Sequence, residues 1–243
     1  MISLVPVVGL PEIREGDDLG ALIAELVALE DDDVVVVAQK VVSKAEGRVV
    51  RLADVEASDR ARAVAGGWTD PRETEVILRE TARVVRERNA LVIAETRHGF
   101  VCASAGVDHS NAPEEETLVL LPHDGDASAR RLRDSIRART GKRVGVVVSD
   151  SFGRPFRVGT TDVAIGVAGL PSLRDLRGTP DRAGRVLRST QVAIADEVAA
   201  AADLVRAGKD DGLPVVVVRG LRLEGDGAAA ELVMPRERDL FRG

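Results

Sequence analysis

The chain has 243 residues, 44% hydrophobic and 30% charged, a balance that suits a folded domain rather than a disordered one. A net charge of -6, 2% aromatics and no Tyr exclude the basic surface and stacking platforms on which nucleic-acid binding relies. The single cysteine, Cys102, excludes an internal disulfide and a cysteine zinc cluster, which places the chain in a reducing compartment, the cytoplasm.

Residues 1–9 are apolar but lack the basic flank of a signal peptide, and no run approaches the roughly 18 apolar residues of a membrane span, so no membrane partner is expected. Residues 2–8 read as a strand followed by the loop 9–13. Asp17 and Asp18 offer an N-cap to a helix in which Leu19, Leu22, Ile23, Leu26 and Val27 recur at helical spacing. Residues 34–38 form an apolar run short enough for a buried strand. A polar loop is expected next, then a partner strand over 48–52 across a turn at Glu46 and Gly47. Residues 58–65 and 71–88 read as helices, the second with Pro71 in its first turn. Strands are expected over 91–95 and 100–104, joined around His98 and Gly99, and again over 117–121. A helix over 127–139 leads into the buried strand 144–149, and 162–167 is a further strand. Residues 190–206 read as an Ala-rich helix, 207–213 as a loop rich in Gly and Asp, and 215–219 as the last strand. Hairpin-like pairs mix with strand–helix–strand steps. The fold class is therefore α+β, with mixed sheets and flanking helices in one module over 1–243.

The common nucleotide and hydrolase signatures are absent: no G-x-x-x-x-G-K-[ST], no H-E-x-x-H and no nucleophile elbow. Four loops nevertheless gather chemistry. Of 34 basic residues only four are lysines, and Lys40 and Lys44 stand close together after the strand 34–38, beside Gln39 and Ser43. Such ammonium groups suit a polyphosphate, although a solvated hairpin loop would look the same. Residues 105–111 bring Asp108, Ser110 and Asn111 together next to Gly106, as hard divalent cations require and as an ordinary Asx turn also does. The run 146–157 ends an apolar strand in Asp150 and Ser151, with Arg154 and Arg157 beyond. This is how phosphoryl-transfer enzymes hold Mg²⁺, and equally how a capped turn reads. The loop Ala207, Gly208, Lys209, Asp210, Asp211, Gly212 can turn backbone N–H groups toward an anion or serve as a plain helix C-cap.

Taken in order, these blocks resemble a known family. Gly9-Leu10-Pro11, residues 43–48, Ala105 to Asp108 with Ser110-Asn111, Asp150-Ser151 through Arg157, Ala164-Ile165-Gly166, Asp196-Glu197 and residues 214–220 are similar to those of the coenzyme F420-0:γ-glutamyl ligases. These are the CofE proteins of archaea and the N-terminal part of actinobacterial FbiB. The resemblance runs along nearly the whole chain. It implies a GTP-dependent enzyme that uses Mg²⁺ or Mn²⁺, with K⁺ a further candidate, to join L-glutamate by γ-linkage to F420-0 or its dehydro form through an acyl phosphate. It also implies an intertwined homodimer, without the FMN-binding nitroreductase-like domain of the actinobacterial proteins.

The resemblance implies specific site residues as well. Leu10, Pro11, Glu12 and Ile13 would border the nucleotide, as would Gln39, Lys40, Lys44 and Asn111 and the loop Arg206, Ala207, Gly208, Lys209, Asp210, Asp211, Gly212 and Leu213. Asp108 and Asp150 would hold one metal and Ser151 a second. Lys44, Arg154 and Arg157 are the expected catalytic groups, the arginines holding anionic substrate. Where the family carries Glu or Gln as a further metal ligand, this chain has Gly208, with Asp210 or Asp211 the nearest replacement. The rival readings are a paralogous amide ligase with another acceptor or amino acid, and a module that binds GTP without turnover.

Overall fold

The computed structural model describes residues 1–110, 112–206 and 212–241. The chain opens with β1 (Ser3–Pro6) and, after a loop, α1 (Leu19–Leu26), which Asp18 caps by accepting from the Ala21 N–H. β2 (Val34–Ala38) follows, its four valines no more than 2% exposed. At this point the structure departs from the expected polar loop. The chain turns at once into α2 (Gln39–Ala45), and β3 (Val49–Arg51) does not pair with β2. Two buried polar groups support the helix: Gln39 Nε2 donates to Ser43 Oγ and to Leu120 O, both at 2.7 Å.

α3 (Asp59–Ala65) is capped by Ser58 and closes at Gly66 in the left-handed region, φ 52°. α4 (Pro71–Glu80) stops eight residues before the expected end, because Thr81–Arg88 form strand β4 instead. β-branched Thr81, Val84 and Val85 suit an extended chain, and Asn89 and Ala90, at φ 49° and 64°, make the tight turn into β5 (Leu91–Thr96). β6 (Val101–Ala103) completes this three-stranded sheet. β7 (Thr117–Val119) pairs with β3. α5 (Gly125–Thr140), capped by Asp124, leads into β8 (Gly145–Arg154), which runs five residues past the expected end and turns back as β9 (Arg157–Ala168). β10 (Arg174–Asp175) and β11 (Gln191–Val192) form a short pair, so α6 (Ile194–Asp203) is shorter than the expected helix at both ends. β12 (Val215–Arg219) is the last strand.

The central sheet has the order β1-β12-β2-β8-β9. Among the described residues only β2 and β8 are parallel, and with β12 on its other side β2 has no free edge for β3. The all-valine strands are buried on both faces. Val35 and Val37 pack with Leu19, Ile23, Leu132 and Ile136 of α1 and α5, while Val34 and Val36 pack with Val198, Ala199 and Ala202 of α6. The architecture is α+β, as the element order predicts. No helix among the described residues is long and apolar enough to cross a membrane.

α5 meets β9 at a glycine pair. A Cβ on Gly166 would lie 2.1 Å from Gly125 O, and one on Gly125 would lie 2.1 Å from Ile165 O. Backbone meets backbone here, so no flexible side chain can yield. Gly166→Ala is therefore expected to cost about 3 kcal/mol or more and to lower the melting temperature by roughly 10 °C. Thermal denaturation followed by circular dichroism checks this. A melting temperature within a degree or two of the parent would show that α5 can shift at no cost.

Candidate functional site

Strands β1 and β2 end at one edge of the central sheet, β12 begins there, and β8 passes this edge at Ser149 on its way into the hairpin with β9. A parallel pair flanked by antiparallel neighbours leaves a crevice at its carboxyl end. A cavity of about 780 Å³ opens at that edge. Leu10, Pro11, Glu12 and Ile13 line it from the loop after β1, and Gln39, Lys40 and Lys44 from α2. Asp150 and Ser151 come from β8, Arg206 from beyond α6, and Gly212 and Leu213 from the approach to β12. Residues spread over the whole chain thus share one wall.

The cations on this wall are held by carboxylates. Lys44, 7% exposed, donates from Nζ to Glu12 Oε1 at 2.6 Å. Lys40 Nζ donates to Asp108 Oδ2 at 2.8 Å and to Ser110 Oγ. Because the two lysines stand one helical turn apart, α2 presents both on one side, which an irregular loop would not ensure. Asp108 is fixed by a backbone bridge to Val119 and accepts from the Ser110 N–H at 2.7 Å. Burial pushes its carboxyl up, but hydrogen bonds from Lys40 and the Ser110 backbone more than offset this and hold it below the usual value.

Asp150 behaves in the opposite way. Burial pushes it up to about 7, and the charges of Asp162 and Asp108 add to the rise against the Ser151 backbone N–H and Lys40. It has no ion-pair partner among the described residues, yet it faces the cavity. A half-buried carboxylate with no ion-pair partner is costly unless a cation joins it. Among the described residues no group of three or more His, Cys, Asp or Glu is arranged to hold a metal. Two carboxylates, Asp108 and Asp150, do sense each other here, and Mg²⁺ needs only one or two when phosphate oxygens complete its shell.

The profile of the family described as F420-0:Gamma-glutamyl ligase matches residues 8–220. The chain belongs to this family. A protein named Coenzyme F420:L-glutamate ligase from Methanothermobacter thermautotrophicus is 42% identical over 251 residues, 100% of this chain and 99% of the relative. Proteins of the same name from Methanopyrus kandleri and Halorubrum lacusprofundi are 47% and 49% identical, covering 95% and 90% of this chain and 94% and 87% of their own lengths. The chain is accordingly an enzyme of the ligase class.

Not every residue expected from the family resemblance reaches the cavity. Arg154 and Arg157 face each other across the tip of the β8–β9 hairpin, exposed and off the cavity wall, because β8 runs on past Asp150 instead of ending there. Replacing both with Ala is expected to leave GTP affinity within about twofold, since exposed charges away from a ligand contribute little. Isothermal titration of the double variant checks this, and a tenfold loss would mean that the tip reaches a nucleotide. Gln39 lines the wall, but its amide nitrogen is already committed to Ser43 and Leu120. Asn111, Ala207, Gly208, Lys209, Asp210 and Asp211 lie outside the described residues. Sequence reading missed Ser149, Asp162 and Asp203, all on the cavity wall. Asp162 heads an apolar run and reads as a strand boundary; only its register opposite Ser151 brings it into the site.

Proposed function

We propose that this chain is a GTP-dependent ligase that adds L-glutamate by γ-linkage to coenzyme F420-0 or its dehydro form, acting as a cytoplasmic homodimer. The observation that best supports this is the one cavity in which Lys44, Asp150 and the 10–13 loop converge where β2, paired in parallel with β8, ends. The names of the relatives support coenzyme F420 and L-glutamate as substrates, and the family description supports the γ-glutamyl link.

The reaction divides into two balanced steps. A carboxylate oxygen of the acceptor attacks the γ-phosphorus of GTP, the bond to the β–γ bridging oxygen breaks, and GDP leaves. The glutamate amine then attacks the acyl carbon, the C–O bond to phosphate breaks, and phosphate departs as the amine sheds a proton. The chain's own groups serve these steps by charge and position. Lys44 sits in a poorly solvated wall where an ammonium counts for more than in water, and an incoming phosphate takes the place of Glu12 as its partner. Lys40 anchors Asp108. Asp108 and Asp150 would hold a divalent cation, Mg²⁺ or Mn²⁺, which when bound neutralises charge on the phosphate oxygens. Ser151 would serve a second cation.

Phosphate release from GTP tests the reading. Release is expected only when both F420-0 and L-glutamate are present, with a glutamylated product seen by mass spectrometry. GTP hydrolysis indifferent to both substrates, or no product, would overturn it.

A further inference from the structure

The segment that leads into Asp108 has a backbone that the roles given above leave unexplained. Ser104, Ala105 and Gly106 all lie in the left-handed region, at φ 52°, 52° and 74°. The Val107 N–H donates to Ser104 O at 2.9 Å, which closes the three into one left-handed turn. Residues other than glycine are strained in this conformation and ordinarily adopt it singly. Asn89 and Ala90 are also left-handed neighbours, but they form the two-residue turn of a hairpin, whose twist requires it. No hairpin accounts for the turn at 104–106, because β6 pairs with β5 and β7 with β3.

The surroundings hold the turn in this hand from two sides. Ala105, 2% exposed, packs into the cluster of Ile77, Val92 and Ala94 on α4 and β5. Gly106 lies against Leu121, where a Cβ would come within 2.7 Å of Cγ and 2.8 Å of both Cδ atoms. Leu121 is itself buried in the core shared by α1, α5 and the central sheet, so its side chain has little room to yield. The turn also borders Cys102: burial pushes this thiol up to about 12, the Asp150 charge adds to the rise, and the Gly106 N–H opposes it. Two residues beyond the turn, Asp108 exchanges backbone hydrogen bonds with Val119 at 3.0 and 2.9 Å and extends its carboxylate to Lys40. Reversing the hand of three consecutive residues would redirect the chain that leaves them, and with it this bridge.

We propose that the left-handed turn Ser104–Gly106 positions Asp108 for a divalent cation, and that the packing of Gly106 on Leu121 locks its hand. Ser104 and Gly106 are positioning residues, which act on the cation only through Asp108. The strain is kept because the turn must deliver Asp108 to Val119 and Lys40 within two residues of a buried anchor. This rests on the reading of Asp108 as a cation ligand, and the experiment judges the two separately.

The full chain and its Gly106→Ala, Leu121→Ala, Gly106→Ala/Leu121→Ala, Ser104→Gly and Ser104→Val variants are titrated with Mn²⁺ in the presence of the β,γ-imido analogue of GTP, followed by electron paramagnetic resonance. Melting temperatures, and hydrogen exchange at the Asp108 and Val119 amides relative to those of β2, are measured without metal. Gly106→Ala is expected to weaken Mn²⁺ about tenfold and to speed exchange at both amides, as loss of support behind a metal ligand does. Leu121→Ala alone should lower the melting temperature by roughly 5 °C or more yet leave Mn²⁺ affinity within about twofold. The double variant has room for the new methyl group and should return to within about threefold of the parent. Ser104→Gly relaxes the backbone without changing its hand and should bind like the parent. Ser104→Val, β-branched and forced to φ 52°, should weaken Mn²⁺ about tenfold. A lower melting temperature in Gly106→Ala with unchanged Mn²⁺ affinity and unchanged relative exchange would make the turn merely structural and overturn the proposal. A double variant no better than Gly106→Ala would do the same. Should Gly106→Ala fail to fold, Ser104→Gly against Ser104→Val carries the comparison. A parent chain that binds no Mn²⁺ defeats the cation reading of Asp108 alone, and exchange at Asp108 and Val119 then judges the turn.

Discussion

Asp150→Asn is expected to abolish glutamate ligation and, in the same protein, to raise the melting temperature at pH 8 when metal is chelated. Both effects have one cause. Burial lifts the Asp150 carboxyl from an ordinary value of 3.8 to about 7, so the folded protein holds this proton more tightly than the unfolded chain does. In strong acid both states are protonated and nothing is lost. As the pH rises above the ordinary value, the unfolded chain gives up its proton first and the folded state carries a growing penalty, complete above about pH 7. A shift of this size corresponds to a few kcal/mol, or roughly 5–10 °C for a chain of this length. A neutral, isosteric amide removes that penalty and also the charge that a divalent cation needs. Melting curves in EDTA should show the variant above the parent at pH 8, with the gap narrowing toward pH 5. Phosphate release measured at saturating Mg²⁺ completes the test. Equal melting at pH 8 would mean that the carboxylate is not penalised by its surroundings, and retained turnover would remove Asp150 from the mechanism.

Lys44→Ala is expected to weaken GTP binding by about 100-fold and Lys40→Ala by no more than about tenfold, in line with the range for hydrogen bonds to charged groups. The two ammonium groups differ in what they are free to do. Lys44 is 7% exposed and its partner Glu12 is 64% exposed, so the carboxylate can swing into water and leave the ammonium to a phosphate. Lys40 is tied to Asp108 and Ser110, both on the segment that follows β6. Its loss should register instead as a higher Mg²⁺ requirement, because Asp108 would be left without its partner. Titration with a fluorescent GTP analogue gives the order directly. The reverse order would place the phosphates beside Lys40.

Much of the frame could be read locally. The valine runs at 34–38 and 215–219 announce buried strands because a strand covered on both faces needs no polar alternation. Asp18, Ser58, Asp70 and Asp124 mark helix starts because a short polar side chain satisfies an otherwise unpaired N–H. The lysine pair and the ordered blocks shared with the ligase family point to residues 10–13, 39–44, 108 and 150 from the sequence alone. Other features depended on partners far away in the chain. Residues 39–45 became a helix rather than a loop because β12 and β8 occupy both edges of β2 and because Leu120 receives the Gln39 amide. Residues 81–88 left the helical pattern because β5 offered them a strand to pair with. Arg154 and Arg157 moved away from the cavity because β9 supplied β8 with pairing past Asp150. Ser149, Asp162 and Arg206, 13 to 57 residues apart, came together only once that hairpin and the end of α6 were packed side by side. Local pattern records which side chains avoid water and which backbone groups a neighbour can cap. Which strand edges are free, and which buried polar groups must satisfy one another, is settled only by pairing across the fold.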